Sequence, residues 1–100
     1  MQSLDLKRFE AKPGESLPEL LRKFSDKLRF RKNKKQAQIA RDAWLDESYV
    51  SRLLSGERSN PSREAIILLG GWGLELVVEE VDELLLAADY KPLVLPVSLR

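Results

Sequence analysis

Apolar residues recur at helical spacing in five short segments of this chain, and capping or breaking residues separate each segment from the next. The first segment, 17–32, opens with the S-x-x-E pattern of a capping box at Ser16 and Glu19 and carries Pro18 in its first turn. Asn33 tolerates the left-handed conformation that ends a helix. This segment is therefore predicted to be the first helix.

Four further helices are predicted in the same way. The second spans 36–43, and the third follows the N-cap residue Asp46 and ends at Gly56. The fourth follows Ser62 and weakens over the glycine-rich stretch 70–73, and the fifth spans about 77–88. Inward positions of the third and fifth helices are predicted to be Val50, Leu53, Leu54, Val78, Val81, Leu84, Leu85 and Ala88.

One hundred residues give room for one domain with a single core. The predicted fold class is all-α, a compact five-helix bundle. The helices define a domain over 16–90, preceded by an N-terminal extension over 1–15. An extended C-terminal tail follows over 91–100 and contains two prolines.

The composition excludes several function classes. The chain has no cysteine and no histidine, which removes thiol nucleophiles, imidazole bases and nearly every zinc site. The longest uncharged apolar run covers ten residues, 65–74, whereas a membrane span needs roughly 20. The N-terminus carries charges throughout and lacks the apolar core of a signal peptide. We expect a cytoplasmic protein that is not an enzyme and needs no metal or cofactor.

The net charge of +1 conceals two opposed segments. Residues 22–63 contain twelve basic and five acidic side chains, a net of +7, and residues 64–90 contain seven acidic and no basic ones, a net of −7. Such a chain presents a positive and a negative surface. Either both are solvated faces, or the positive one binds a polyanion.

An ordered set of residues lies on the second and third predicted helices. The residues are Gln36, Ile39, Ala40, Ala43, Leu45, Asp46, Val50, Leu53, Gly56 and Pro61. This pattern resembles the helix-turn-helix of the phage-repressor and Cro-like (XRE) family. The resemblance implies a lambda-repressor-like DNA-binding domain that regulates transcription. Its recognition helix, about 46–54, would lie in the major groove, and a homodimer would bind a pseudo-palindromic operator in double-stranded DNA. It leaves any small-molecule effector open.

Two residues depart from the family pattern. Lys35 stands where a serine or threonine usually caps the second helix, and Trp44 stands at the usual turn glycine. A tryptophan adopts a positive φ only at a cost. We therefore expect either a rebuilt turn or a ring that fills a gap between helices, and we place both Trp44 and Trp72 in the core.

The way in which proteins of this family dock on DNA indicates which residues would contact bases and phosphates. Base-edge contacts are expected from Glu47, Ser48, Tyr49 and Arg52 at the start of the third helix. Phosphate contacts are expected from Gln36, Arg31, Lys34, Lys35, Ser55, Arg58 and Asn60. Alternatives stay open: a surface ion pair for Arg52, partial burial for Tyr49, and a solvated helix end for the basic run 29–35.

A second hypothesis is a protein-interaction module, such as the antitoxin of a toxin–antitoxin pair. Its binding surface would be the acidic fifth helix or the apolar tail, which could also cover the core or pair with a second copy. The acidic cluster of that helix favours a solvated face over a metal site. The stretch 70–73 lacks nucleotide-loop spacing, so its glycines are expected to permit close helix packing.

Overall fold

Five α-helices make up the part of the chain that the computed structural model describes, residues 15–94. In chain order they are α1 (Leu17–Lys32), α2 (Gln36–Asp42), α3 (Glu47–Ser55), α4 (Arg63–Ile67) and α5 (Val78–Ala87). This confirms the all-α fold class. Apart from Glu15, the predicted extension 1–15 lies outside the described residues, as does the tail beyond Val94.

The caps of α1 form as predicted. The Ser16 backbone N–H donates to Glu19 Oε1 at 2.9 Å, and the Glu19 N–H donates to Ser16 Oγ at 3.4 Å. At the other end Asn33 adopts the left-handed conformation with φ 55°, and its N–H donates to the Arg29 carbonyl. These reciprocal bonds satisfy backbone groups that a helix end otherwise leaves unpaired.

The core lies between the helices: α1 packs against α3 and α5, α2 packs against α3 and the segment after α4, and α5 packs against α4 and that same segment. Val50 and Leu53 of α3 and Leu84 and Leu85 of α5 are each at most 1% exposed, as predicted. Burying a side chain of this size contributes roughly 1.5–3 kcal/mol. The prediction for Val78 is wrong, because 43% of its surface is exposed.

The glycine-rich stretch continues α4 as a π-helical segment, Leu68–Gly73, instead of fraying it. The Leu74 N–H donates to the Leu69 carbonyl at 2.7 Å, five residues back. A Cβ on Gly73 would lie 2.8 Å from the Ile39 carbonyl oxygen of α2, and one on Gly70 would lie 3.2 Å from Leu84 Cδ1. The prediction that these glycines permit close helix packing is confirmed at both positions. Gly71 faces open space.

The α2–α3 connection corrects both expectations for Trp44. Trp44 has φ 57°, its N–H donates to the Arg41 carbonyl, and the Leu45 N–H donates to the Ala40 carbonyl. These two bonds form a Schellman motif with Trp44 in the position that usually holds glycine. The turn is therefore not rebuilt.

Neither tryptophan lies in the core, contrary to the prediction. Trp44 is 75% exposed, and Trp72, on the π-helical segment, is 59% exposed. Their centroids are 6.2 Å apart with the planes inclined by 50°. The two rings therefore pack against each other on the surface of the domain.

The first residues of the tail are hydrogen-bonded to the helical domain. The backbone N–H groups of Leu93 and Val94 donate to the Asp82 carboxylate of α5, at 2.6 and 3.4 Å. Tyr90 Oη donates to the Pro61 carbonyl at 2.8 Å. The side chains of Leu93 and Val94 nevertheless stay exposed, at 41% and 54%.

Candidate nucleic-acid interface

Helix α3 separates a buried face from a polar one. Asp46 caps it by accepting hydrogen bonds from the Ser48 and Tyr49 N–H groups, at 3.1 and 3.4 Å. With Val50 and Leu53 fixed inside, the 3.6-residue period turns three predicted base-contact residues outward: Glu47, Ser48 and Arg52. All three are exposed and lie on one helix.

Arg52 has the donors for bidentate hydrogen bonding and is exposed at the centre of this face. Within residues 15–94 no carboxylate lies at salt-bridge distance from its guanidinium. The surface-pair alternative is therefore not realised in that part of the chain. A guanidinium without an ion-pair partner keeps its fork of N–H groups available for a planar acceptor.

Tyr49 is partly buried against the core, in agreement with the alternative that its sequence position left open. The guanidinium carbon of Arg58 lies 5.2 Å from the centre of its ring, within the range of a cation–π contact. Ser55 Oγ donates to the Arg52 carbonyl and accepts from the Glu57 N–H. These contacts order the loop after α3 and hold Arg58 close to it.

A polar depression lies between α1, the start of α2 and the C-terminal half of α3. The residues that line it are Arg22, Ser25, Asp26, Arg29, Lys34, Gln36, Ser51, Leu54 and Ser55. Arg22 Nη1 donates to the Leu54 carbonyl and so ties α1 to the last turn of α3. The depression thus joins three predicted phosphate contacts, Lys34, Gln36 and Ser55, to two arginines and the carboxylate of Asp26.

Sequence reasoning did not nominate Arg22 or Ser51 as contact residues, and it considered Arg29 only as part of the basic run 29–35. The signal was present, since Arg22, Ser25 or Asp26, and Arg29 follow the i, i+3 or i+4, i+7 spacing of one helical stripe. What the sequence lacked was the packing of α1 beside α3, which brings this stripe next to Ser51 and Ser55.

Lys34 corrects the set of phosphate contacts, because its side chain is buried and its ammonium is already bound. Only 5% of the residue is exposed, and Nζ donates to the Gly73 carbonyl at 2.7 Å. It also lies 2.8 Å from Asp42 Oδ2 and 3.0 Å from Glu75 Oε2. Burial alone would lower its pKa, but hydrogen bonds to Asp42 and Glu75 outweigh burial and raise it. Lys34 is a charged structural residue.

The remaining predicted phosphate contacts do not share one surface. Arg31 lines a different groove, together with Phe30, Leu76 and Glu80, on the side of α1 away from Gln36. Asn60 lies near Leu17 and Tyr90, beside the end of α5. Lys35 is the exposed N-cap residue of α2 and makes no side-chain capping bond. Only Lys35 remains adjacent to Gln36.

Other site types find no support in the described part of the chain. Residues 15–94 contain no group of three or more acidic side chains arranged to hold a metal ion. A search of the same residues for a helix long and apolar enough to cross a membrane finds none.

Comparison of the chain with protein-family models, with curated proteins and with solved structures finds no match.

Proposed function

We propose that this protein binds double-stranded DNA sequence-specifically as a transcriptional regulator, with α3 in the major groove. The observation that carries the proposal is the division of α3 into an apolar face, on which Val50 and Leu53 are buried, and an outward face bearing Glu47, Ser48 and Arg52. A helix of this kind, held by a preceding short helix, suits the major groove. Arginine can bind guanine, and glutamate can accept a hydrogen bond from the cytosine amino group.

The polar depression supplies the sequence-independent part of the proposed interface. Arg29 and Gln36 carry donors suited to phosphate oxygens, Ser55 lines the same depression, and Lys35 adds an exposed charge beside them. Arg58 extends this set from the loop after α3. The proposed phosphate contacts are therefore Arg29, Lys35, Gln36, Ser55 and Arg58. One short helix reads few base pairs, so we propose a homodimer on a pseudo-palindromic operator.

Selection of bound duplexes from a random DNA pool tests the proposal. A regulator of this type should enrich a defined two-fold symmetric sequence. Its affinity should fall with salt at a log–log slope of about −0.9 per phosphate neutralised. Arg29→Ala should flatten that slope and weaken all sequences alike, whereas Lys27→Ala, on the same helix but lining the other groove, should leave it unchanged. Recovery of an unenriched pool would contradict the proposal.

A protein-interaction module remains the second candidate, because α5 exposes apolar groups among acidic ones. Val78 and Leu86 are 43% and 58% exposed, and Glu79 and Glu83 lie on the same helix. Such a face fits a basic, apolar protein surface. A toxin encoded beside this chain that binds it through α5, together with an unenriched DNA pool, would favour this candidate.

A further inference from the structure

Arg58 belongs to the loop after α3, but its side chain lies against a ring of that helix. Gly56 ends α3 with φ 88°, which turns the chain back, and the Arg58 N–H donates to the Arg52 carbonyl at 3.0 Å. The guanidinium carbon of Arg58 lies 5.2 Å from the centre of the Tyr49 ring. Among residues 15–94, no carboxylate lies within salt-bridge distance of this guanidinium. Arg58 is thus held against α3 at two points, one on its backbone and one on its side chain.

Tyr49 fixes the side of α3 on which this charge lies. Successive side chains of a helix are about 100° apart, so Tyr49 and Ser51 point to opposite sides of Val50, which is completely buried. Ser51 lines the polar depression together with Arg29. The outward face of α3 therefore has a positive group on each side, Arg29 on the Ser51 side and Arg58 on the Tyr49 side.

These two sides are not equivalent for a helix in the major groove, because the sugar–phosphate backbones of the two DNA strands border that groove on opposite sides. We infer that Tyr49 positions Arg58 to bind the phosphate backbone of one strand, while the polar depression meets the backbone of the other. The inference rests on the proposed function. It makes Tyr49, which the sequence predicted as a base contact, a positioning residue.

The Tyr49 ring has the properties that this role requires. The ring is half-buried and packs against the core, so its own position is fixed. A guanidinium is attracted to the face of an aromatic ring, and this attraction leaves the N–H donors of Arg58 available for phosphate oxygens. An unrestrained arginine in a loop would lose more conformational entropy on binding DNA. Contact with the ring therefore favours the bound arrangement before DNA arrives.

A double-mutant cycle on the enriched duplex tests the positioning role. Arg58→Ala should weaken binding about tenfold and reduce the log–log salt slope by about 0.9. Tyr49→Leu should weaken binding about two- to fivefold, as for an exposed cation–π contact, but should have no further effect in the Arg58→Ala background. Tyr49→Phe keeps the ring and should restore the natural affinity and base preference. Phe30→Leu, which removes an exposed ring of α1 outside the proposed interface, is the control.

Neutral methylphosphonate linkages, placed in one strand of the duplex at a time, test which strand each arginine contacts. Linkages that weaken binding of the natural chain but not of Arg58→Ala mark the phosphates that Arg58 contacts. Within each half-site these should lie on one strand, and the phosphates marked in the same way by Arg29→Ala should lie on the other. Arg58 is exposed, so this test holds even if Tyr49→Leu loosens the core.

Three results would overturn the inference. The first is a set of marked phosphates that Arg29 and Arg58 share on one strand. The second is a cycle in which the effects of Tyr49→Leu and Arg58→Ala are independent. The third is an altered base preference in Tyr49→Phe, which would show that the Tyr49 hydroxyl reads a base. Each of these leaves sequence-specific binding intact, whereas an unenriched duplex pool would overturn the proposed function together with this inference.

Discussion

Lys34 Nζ lies 2.8 Å from Asp42 Oδ2, so the lysine two residues before α2 is paired with the aspartate that ends α2. The same ammonium binds the carbonyl of Gly73, the last residue of the π-helical segment, and the carboxylate of Glu75 just after it. The Lys34 ammonium thus links both ends of α2 to Gly73 and Glu75. Burying an ammonium destabilises a fold unless its N–H groups are bound to acceptors. The ammonium of Lys34 has three acceptors within 3.0 Å, so its burial is compensated.

Replacing Lys34 with methionine should lower the free energy of unfolding by about 1–3 kcal/mol, because the Gly73 carbonyl and two carboxylates lose a charged donor. Urea unfolding measures this. Lys35→Met, at the exposed neighbouring position, should leave stability within about 0.5 kcal/mol and should flatten the salt dependence of DNA binding. Equal stability of the two variants would contradict a structural role for Lys34.

The hydrogen bonds of Glu75 predict acid sensitivity. Lys32 at 2.8 Å and Lys34 at 3.0 Å lower the pKa of this carboxyl from its ordinary value of 4.5. Its contribution to stability is therefore present above pH 4.5 and is lost as the pH falls through the lowered folded-state pKa. Thermal melts of Glu75→Gln should depend less on pH in that window. Glu79→Gln, an exposed control on α5, should follow the natural chain.

Substitutions at two adjacent residues of α3 should have different effects, one on base preference and the other on the stability of the fold. Arg52→Ala should relax the preference for particular bases by about 1–3 kcal/mol and leave the melting temperature unchanged, because the side chain is exposed. Leu53→Ala should cost roughly 2–5 kcal/mol of stability through a cavity in the core. Binding-site selection and thermal melts on both variants measure this. Unaltered base preference in Arg52→Ala, Glu47→Ala and Ser48→Ala would show that α3 does not read DNA.

Trp44→Gly should be more stable than Trp44→Ala by about 1 kcal/mol when both are measured as monomers. Both variants lose the ring, but only glycine adopts φ 57° without strain. Chemical denaturation at low concentration makes the comparison. Identical stabilities would indicate that the backbone leaves the left-handed region once the ring is removed.

The close approach of the π-helical segment to α2 predicts different outcomes at two neighbouring glycines. Gly73→Ala should destabilise the domain by about 1–3 kcal/mol, since the new Cβ would lie 2.8 Å from a backbone oxygen. Gly71→Ala meets no atom within 4 Å and should be neutral or slightly stabilising. Thermal melts decide between them, and a neutral Gly73→Ala would mean that α2 and this segment can move apart.

Which groove an exposed side chain lines was the property of the candidate site that the sequence predicted least well. Helical periodicity gave the outward residues of α3 correctly, because Val50 and Leu53 fix its rotation. It could not separate Arg29 from Arg31 as contacts, since both are exposed on α1 and only the neighbouring helices differ. One lines the polar depression beside α3, and the other lines the groove beside Leu76.

The positions of the helices and most of their ends follow from local interactions and could be predicted from the sequence, whereas the π-helical continuation of α4 could not. The Ser16–Glu19 capping box, the Asp46 cap and the left-handed Gly56 each act within one helical turn. Which charged or aromatic side chains are exposed depends on how the helices pack. Lys34 is buried with its ammonium bound to a carbonyl 39 residues away, and both tryptophans are exposed although the sequence predicted them in the core. Contacts between residues so distant in the chain follow from how the helices pack, which no local pattern specifies.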